Sequence, residues 1–208
     1  MKINDELIDK LNSSISRDVR LSNYSWFNLG GPAEFLFKPK DKKQLIEFLT
    51  HNKKNKLDIT ILGAGSNTLI RDKGIKGVVI KLGSGFTDIR LLDKDILEVG
   101  AAALDRKISD FAKDKGIGNL EFLSCIPGSI GGAVIMNSGC YGNDISKILV
   151  SIRVINTKNC TEKEIKSEEI EFFYRGSNLP EGSIITSVKL RGKLKNPEEI
   201  EKKQKKLI

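Results

Sequence analysis

Ile59-Thr60-Ile61-Leu62-Gly63-Ala64-Gly65-Ser66-Asn67 is a strand that runs straight into a glycine turn. The first four residues are apolar or β-branched and predict an extended segment. Gly63 and Gly65 then permit positive φ, so that consecutive main-chain N–H groups can turn toward one point and form an anion nest. Ser66 and Asn67 add side-chain donors. Such a loop suits a pyrophosphate, and a tight strand-ending turn is the equal alternative. It is not a P-loop, because no Gly-Lys-Ser/Thr follows. It also fails the G-x-G-x-x-G dinucleotide fingerprint, since Thr68 stands where the third glycine belongs.

The flanking sequence mixes strands and helices without a regular βαβ period, which predicts an α+β protein rather than a doubly wound sheet. Ile3, Leu7, Ile8, Leu11 and Ile15 recur at helical spacing and predict an opening amphipathic helix. Ala33 to Lys38 reads as a strand, and Asp41 as the cap of a helix whose apolar face is Leu45, Ile46, Phe48 and Leu49. Val78-Val79-Ile80 is a further strand, and Phe86 to Val99 a hairpin turning at Asp93-Lys94-Asp95. Leu104, Ile108, Phe111 and Ala112 make a helix stopped by Gly116. Ile148 to Ile155 and Ser183 to Leu190 alternate as strands. Asn196-Pro197-Glu198-Glu199 is a helix start, with a capping side chain, proline at the first position and acids in the first turn. The stripe that follows it stops at Ile208 without a C-cap, so the chain is expected to be incomplete.

The 208 residues carry 35 Lys+Arg against 27 Asp+Glu, a net charge of +8, and suit one large domain or two small ones. With 39% hydrophobic and 30% charged residues of both signs, the chain can bury a core and is not a disordered segment. No apolar run approaches the ~18 residues of a membrane span. Met1-Lys2-Ile3-Asn4-Asp5-Glu6 has no apolar signal core, so a cytoplasmic protein is expected. Cys125, Cys140 and Cys160 are odd in number and include no C-x-x-C pair, which predicts buried reduced thiols and neither a metal site nor a disulfide framework. The basic excess, which admits nucleic acid, a membrane surface or a small anionic ligand, is mostly lysine scattered along the chain, which ranks a small anionic ligand above nucleic acid. His51, the only histidine, sits at a helix end as a solvated charge, and a Ser–His–Asp arrangement is excluded. Any difficult chemical step therefore falls to an organic cofactor.

Seven glycines crowd the segment from Gly116 to Gly142. Within it, Pro127-Gly128-Ser129-Ile130-Gly131-Gly132-Ala133 has a proline able to open a helix and three glycines that bare N–H groups at its N-terminus, where an anion is favoured. Close helix packing through Gly131, Gly132 and Ala133 is the other reading. Two glycine-rich anion sites fit a dinucleotide better than a mononucleotide. Tyr174-Arg175 could clamp a carboxylate bidentately or stabilise an enolate, although spacing alone favours a surface arginine at a strand end.

Four ordered motifs carry a resemblance: Phe27-Asn28-Leu29-Gly30-Gly31-Pro32-Ala33; Leu62 to Asn67 with Arg71-Asp72; the block from Leu120 to Tyr141; and Tyr174-Arg175 with Ser177. The third contains Leu120-Glu121-Phe122-Leu123, Ile126 to Ala133, and Met136-Asn137-Ser138-Gly139-Cys140-Tyr141-Gly142. From about Asn23 onward the chain resembles the UDP-N-acetylenolpyruvoylglucosamine reductase family. That resemblance implies an α+β, two-lobed FAD-binding fold of the vanillyl-alcohol-oxidase (PCMH) type. It implies an N-terminal FAD-binding lobe at 1–82, a second at 83–195, and at 196–208 the start of a helix leading to an absent substrate-binding domain. It further implies a cytoplasmic monomer with noncovalent FAD and NADPH as hydride source, reducing a UDP-sugar enolpyruvate to UDP-N-acetylmuramate for peptidoglycan, with no nucleic-acid or membrane partner.

By the same resemblance, FAD is held by Gly63, Ala64, Gly65, Ser66, Asn67, Pro127, Gly128, Ser129, Gly131, Gly132, Ala133 and Tyr141. Tyr174 and Asn137 would contact substrate, and Arg175 would be catalytic, steadying charge on the enol intermediate and the carboxylate. The family's proton donor is a serine in its C-terminal domain; nothing here matches that motif, and Ser177 is not its counterpart. A catalytically incomplete FAD-binding remnant is the alternative function, and a basic nucleic-acid-binding module ranks below it.

Overall fold

Two sheets divide the chain in the computed structural model, which describes Leu11 and residues 14–207. The first is built from β1 (Ile15–Arg20), β2 (Pro32–Phe37), β3 (Ile59–Ile61) and β4 (Ile75–Ile80), in the order β1-β2-β4-β3. β1 is antiparallel to β2, whereas β2 and β3 both run parallel to the central β4. Helix α1 (Lys42–Asn55) makes the crossover from β2. The Asp41 carboxylate accepts a hydrogen bond from the Gln44 amide at 2.8 Å, and Lys56 in the left-handed region ends the helix. Leu45, Phe48 and Leu49 bury its apolar face against Phe35, Phe37, Val78 and Ile80, with the Phe37 and Phe48 rings 4.5 Å apart.

The expected opening helix falls largely on residues outside those described. Where its last member is described, the expectation is corrected: Ile15 starts a strand, in register with Phe37. Its apolar side chain joins the core beneath α1, and edge pairing outweighs a helical stripe that would end there.

The second sheet is wholly antiparallel. It comprises β5 (Ile89–Asp93), β6 (Ile96–Gly100), β10 (Leu149–Asn156), β11 (Glu162–Lys166) and β14 (Ser183–Arg191), in the order β11-β10-β14-β6-β5. Between β6 and β10 lie α2 (Asp105–Asp114), β7 (Ile117–Gly118), a 3-10 turn (Glu121–Cys125), α3 (Ile130–Ile135), β8 (Gly139–Cys140) and β9 (Asn143–Asp144). A hairpin of β12 (Glu171–Phe173) and β13 (Gly176–Asn178) precedes β14, and β15 (Lys193–Leu194) and α4 (Pro197–Leu207) follow it. Ile108, Ala112, Ile130, Ala133 and Val134 of α2 and α3 pack on Leu97, Val99, Ile152, Val188 and Leu190 of the sheet. Each such leucine, isoleucine or valine contributes roughly 1.5–3 kcal/mol of burial.

Ile155 and Ile184, from the end of the second sheet, belong to the core of the first, and Leu82 touches both cores. The α+β reading holds, with one partly parallel and one antiparallel sheet. Helix α4 starts as expected, with the Asn196 side chain accepting from the Glu198 amide at 2.9 Å. It packs on α2 and the 3-10 turn: Ile200 is buried, the Gln204 amide donates to Ser109 at 2.7 Å, and Lys203 pairs with Glu121 at 3.2 Å. All three cysteines are free but only half-buried, which corrects the expectation of buried thiols. Among the described residues no helix is long and apolar enough to cross a membrane.

Candidate cofactor site

The glycine turn after β3 lies against the end of β4, where the Leu62 amide donates to the Ile80 carbonyl at 2.9 Å. Beyond Leu62 that pairing stops. Among the described residues, none accepts a hydrogen bond from the amides of Gly63, Ala64, Gly65, Ser66 or Asn67. Gly65 has φ +74°, and a Cβ there would lie 2.0 Å from the Tyr24 carbonyl oxygen, so only glycine fits. The Trp26 amide donates to the Gly65 carbonyl at 3.1 Å, so the preceding loop braces one side of the turn while its amides stay unmatched.

Two lysines stand beside this turn. Lys38 and Lys81 follow β2 and β4, whose parallel pairing sets Phe37 opposite Ile80. Lys81 Nζ donates to the Gly63 carbonyl, and Lys38 Nζ donates to the Tyr24 hydroxyl at 2.8 Å. Burial, and then the Lys38 charge, lower the Lys81 pKa. Among the described residues neither pairs with a carboxylate, so the turn is flanked by two cations whose charge is uncompensated.

The second glycine segment meets the first. Ser129 Oγ lies 3.0 Å from the position a Gly63 Cβ would take, and Ser66 Oγ lies 3.8 Å from that of Gly128. The amides of Gly128, Ser129 and Gly132 are likewise unmatched among the described residues. The helix itself is shorter than expected: it begins at Ile130, not Pro127, and spans six residues. Its first amides are not bared, because Ile130 N–H donates to Ala103 at 3.0 Å and Gly131 N–H to Ala101 at 2.9 Å. Gly131 therefore serves close packing, since a Cβ there would sit 3.0 Å from the Ala101 carbonyl. The anion-facing donors are those of the loop before the helix, together with the Gly132 amide in its first turn.

The remaining predicted residues gather at the other end of α3, about 9 Å away at 1.5 Å per helical residue. Ser177 Oγ donates to the Ile135 carbonyl at 3.0 Å, which ties the β12–β13 hairpin to the helix end. Asn137 donates through its side chain to the Phe173 carbonyl at 3.3 Å and accepts from the Ser146 amide at 3.0 Å. Arg175 Nη2 donates to the Gly139 carbonyl at 3.1 Å, with its guanidinium 5.2 Å from the Tyr174 ring centre. Tyr174 is 88% exposed and Tyr141 66%, and the Tyr141 hydroxyl donates to the Leu207 carbonyl at 3.0 Å. Asn137, Tyr141 and Arg175 all have positive φ, a backbone region uncommon for residues with side chains. His51, by contrast, is exposed on α1.

The site is thus elongated. Unmatched amides, hydroxyls and two lysines at one end fit a diphosphate, and a held guanidinium with exposed aromatic rings at the other fits a planar, anionic reaction partner. Sequence reasoning missed Lys38 and Lys81, because their neighbourhood depends on strand register. It also missed Asp105, the first residue of α2. This aspartate is fully buried, neither carboxyl oxygen has a hydrogen-bond partner among the described residues, and its Oδ2 lies 2.9 Å from the Gly128 Cβ position. Burial raises its pKa to about 8.

A family model described as an FAD binding domain matches residues 33–163. The UDP-N-acetylenolpyruvoylglucosamine reductase of Pelagibacter ubique is 45% identical over 194 residues, which are 93% of this chain and 63% of that protein. The crystal structure of UDP-N-acetylenolpyruvylglucosamine reductase from Thermus caldophilus superposes with a TM-score of 0.82 at 32% identity, over 93% of this chain and 67% of that one. A structure of alkyldihydroxyacetonephosphate synthase, at TM-score 0.65 and 12% identity over 93% of this chain and 41% of that one, shares the fold alone. These matches identify the architecture as the PCMH-type FAD-binding fold. The chain spans about three fifths of the length of the curated relatives it matches.

Proposed function

The chain belongs to the UDP-N-acetylenolpyruvoylglucosamine reductase family and carries its FAD-binding domain, and we propose that it holds one FAD for the reduction of a UDP-sugar enolpyruvate. One observation carries this reading: the unmatched amides of Gly63–Asn67 lie against Ser129, so that two glycine loops distant in sequence line one anion cradle. The amides of residues 63–67, Gly128, Ser129 and Gly132, with the Ser66, Asn67 and Ser129 side chains, hold the diphosphate. Pro127, Gly131 and Ala133 shape the wall, and Tyr141 lines the path toward the reactive end. Lys38 and Lys81 offset the diphosphate charge.

FAD, when bound, supplies the hydride relay between NADPH and the enolpyruvyl group. The chain's own residues orient the acceptor and stabilise its charge. Hydride arriving at the methylene carbon of an enol ether leaves negative charge spread toward the carboxylate. The Arg175 guanidinium, fixed by Gly139, stabilises that charge more than the ground state, which lowers the barrier. Tyr174 and Asn137 contact the substrate beside it. Taking up one proton at the adjacent carbon then gives UDP-N-acetylmuramate, a peptidoglycan precursor, and the proposed form is a cytoplasmic monomer.

A second reading is an FAD-binding unit without turnover of its own, favoured by the family model, which describes FAD binding alone over residues 33–163. One experiment separates them: anaerobic incubation of the FAD-loaded protein with NADPH, followed by the enolpyruvyl substrate. NADPH oxidation that depends on the substrate supports the reductase. Flavin retention without it leaves the binding unit, and a protein that retains no flavin contradicts both.

A further inference from the structure

Asp105 is the one group at the cradle that the proposed function leaves without a task. Its amide donates to the Gly128 carbonyl at 3.1 Å, which latches the start of α2 to the second glycine loop. Its carboxyl lies directly behind that loop, 2.9 Å from the Gly128 Cβ position, while Ser66 Oγ approaches the same position from the first loop at 3.8 Å. The side chain has no exposed surface, and both oxygens lack partners among the described residues. A carboxylate at a helix start is ordinarily exposed and stabilised by the dipole. Here solvent is excluded, and two loops built to receive an anion stand in front.

We infer that Asp105 is a positioning residue that keeps its proton behind the diphosphate loops, so that FAD binding requires the neutral acid and weakens when that proton is lost. This rests on the FAD reading above. A protonated carboxyl offers an O–H donor among the loops, whereas a carboxylate only accepts and sets like charge behind a diphosphate. Burial alone raises the pKa of this group, to about 8, and no neighbouring charge contributes. The elements packed against α2 bring Glu121 and Cys125 from the 3-10 turn and Lys203 from α4, with Glu121 and Lys203 paired to each other. The glycine loops bring no titratable group. Lys81, which donates to the Gly63 carbonyl, has a pKa lowered by burial and also loses charge as pH rises, so the test must separate it from Asp105.

FAD dissociation constants are measured by flavin fluorescence from pH 7 to 9 for the wild-type chain, D105N and K81M. The wild-type constant rises about tenfold in all between pH 7 and 9, most of it above pH 8, as loss of one linked proton demands. In D105N it changes less than about twofold across the range, while K81M keeps the wild-type slope. A parallel decline in wild type and D105N overturns the inference, as does a flat wild-type profile. Calorimetry on the wild type in buffers of different ionisation heat gives a check independent of any variant. Uptake of about 0.75 proton per FAD is expected at pH 8.5 from an acid with a pKa of about 8, and zero uptake contradicts the linkage. Binding that ignores pH removes this inference and leaves the FAD reading intact, whereas no FAD binding at any pH removes both.

Discussion

Alanine substitution at Gly63 and at Gly65 should separate the cradle from the scaffold that carries it. At Gly65 the added methyl sits 2.0 Å from the Tyr24 carbonyl oxygen and 3.1 Å from its carbon, on a backbone with φ +74°. The left-handed conformation costs about 1–2 kcal/mol for a residue with a side chain. Relieving the overlap displaces the Tyr24–Trp26 segment and breaks its bond to Gly65, about 1–3 kcal/mol more. Gly65→Ala should therefore lose about 2–5 kcal/mol and, at roughly 2–4 °C per kcal/mol for a chain this size, melt about 4–20 °C lower. At Gly63 the backbone is not left-handed, and the only close atom is Ser129 Oγ at 3.0 Å, which can rotate away. Gly63→Ala should change stability by less than about 1 kcal/mol. It nevertheless places a methyl between the loops and turns the serine out of the cradle. Loss of one charge-assisted hydrogen bond, about 1.5–3 kcal/mol, raises the FAD dissociation constant roughly 10–150-fold. Scanning fluorimetry without FAD and fluorescence titration with it give the two readouts. The reasoning is refuted if Gly63→Ala binds FAD like the wild type, or if Gly65→Ala melts with it.

Burial of Asp105 also predicts a stability profile. Its folded pKa, about 8, lies above the ordinary carboxylate value of 3.8, so the folded state holds a proton that the unfolded state releases. Stability from this group is therefore full below pH 4 and falls by about 1.4 kcal/mol per unit until pH 8; urea melts should show a loss of about 4 kcal/mol between pH 5 and 8 that Asp105→Asn abolishes. Equal slopes in the two proteins would show that the carboxyl is solvated. Lys81→Met should weaken FAD binding about tenfold and flatten its dependence on salt, and a variant as salt-sensitive as the wild type would exclude Lys81 from the anion's surroundings. Arg175→Lys keeps the charge and loses the planar fork. Substrate-dependent NADPH oxidation should fall about 100-fold, and an unchanged rate would remove Arg175 from the reactive end.

Local chemistry was legible and register was not. Asp41 and Asn196 announce their helices because a capping side chain acts within its own turn, and Asp93-Lys94-Asp95 marks a hairpin for the same reason. The glycine turn after β3 could be read as an anion nest because positive φ at Gly65 is a property of the residue itself. Ile15 was assigned to a helix, since a single apolar residue fits either period until its partner strand is known. Lys38 and Lys81 became neighbours only through parallel pairing across an α1 crossover. Gly131 looked like a donor, yet its amide was already taken by Ala101, 30 residues earlier in the chain. Nothing in Leu104-Asp105-Arg106 marks the aspartate, because burial by two distant loops leaves no trace in the local sequence. Arg175 owes its anchorage to Gly139, a contact across 36 positions.

The most direct measurement is a titration of the purified chain with FAD and, in parallel, with riboflavin, which has the same ring system and no phosphate. If the two glycine loops grip the diphosphate, FAD binds at one per chain, ADP competes for the site, and riboflavin binds at least about 100-fold more weakly, as the loss of two charge-assisted contacts requires. Riboflavin bound as tightly as FAD, or FAD left unbound, would contradict the account.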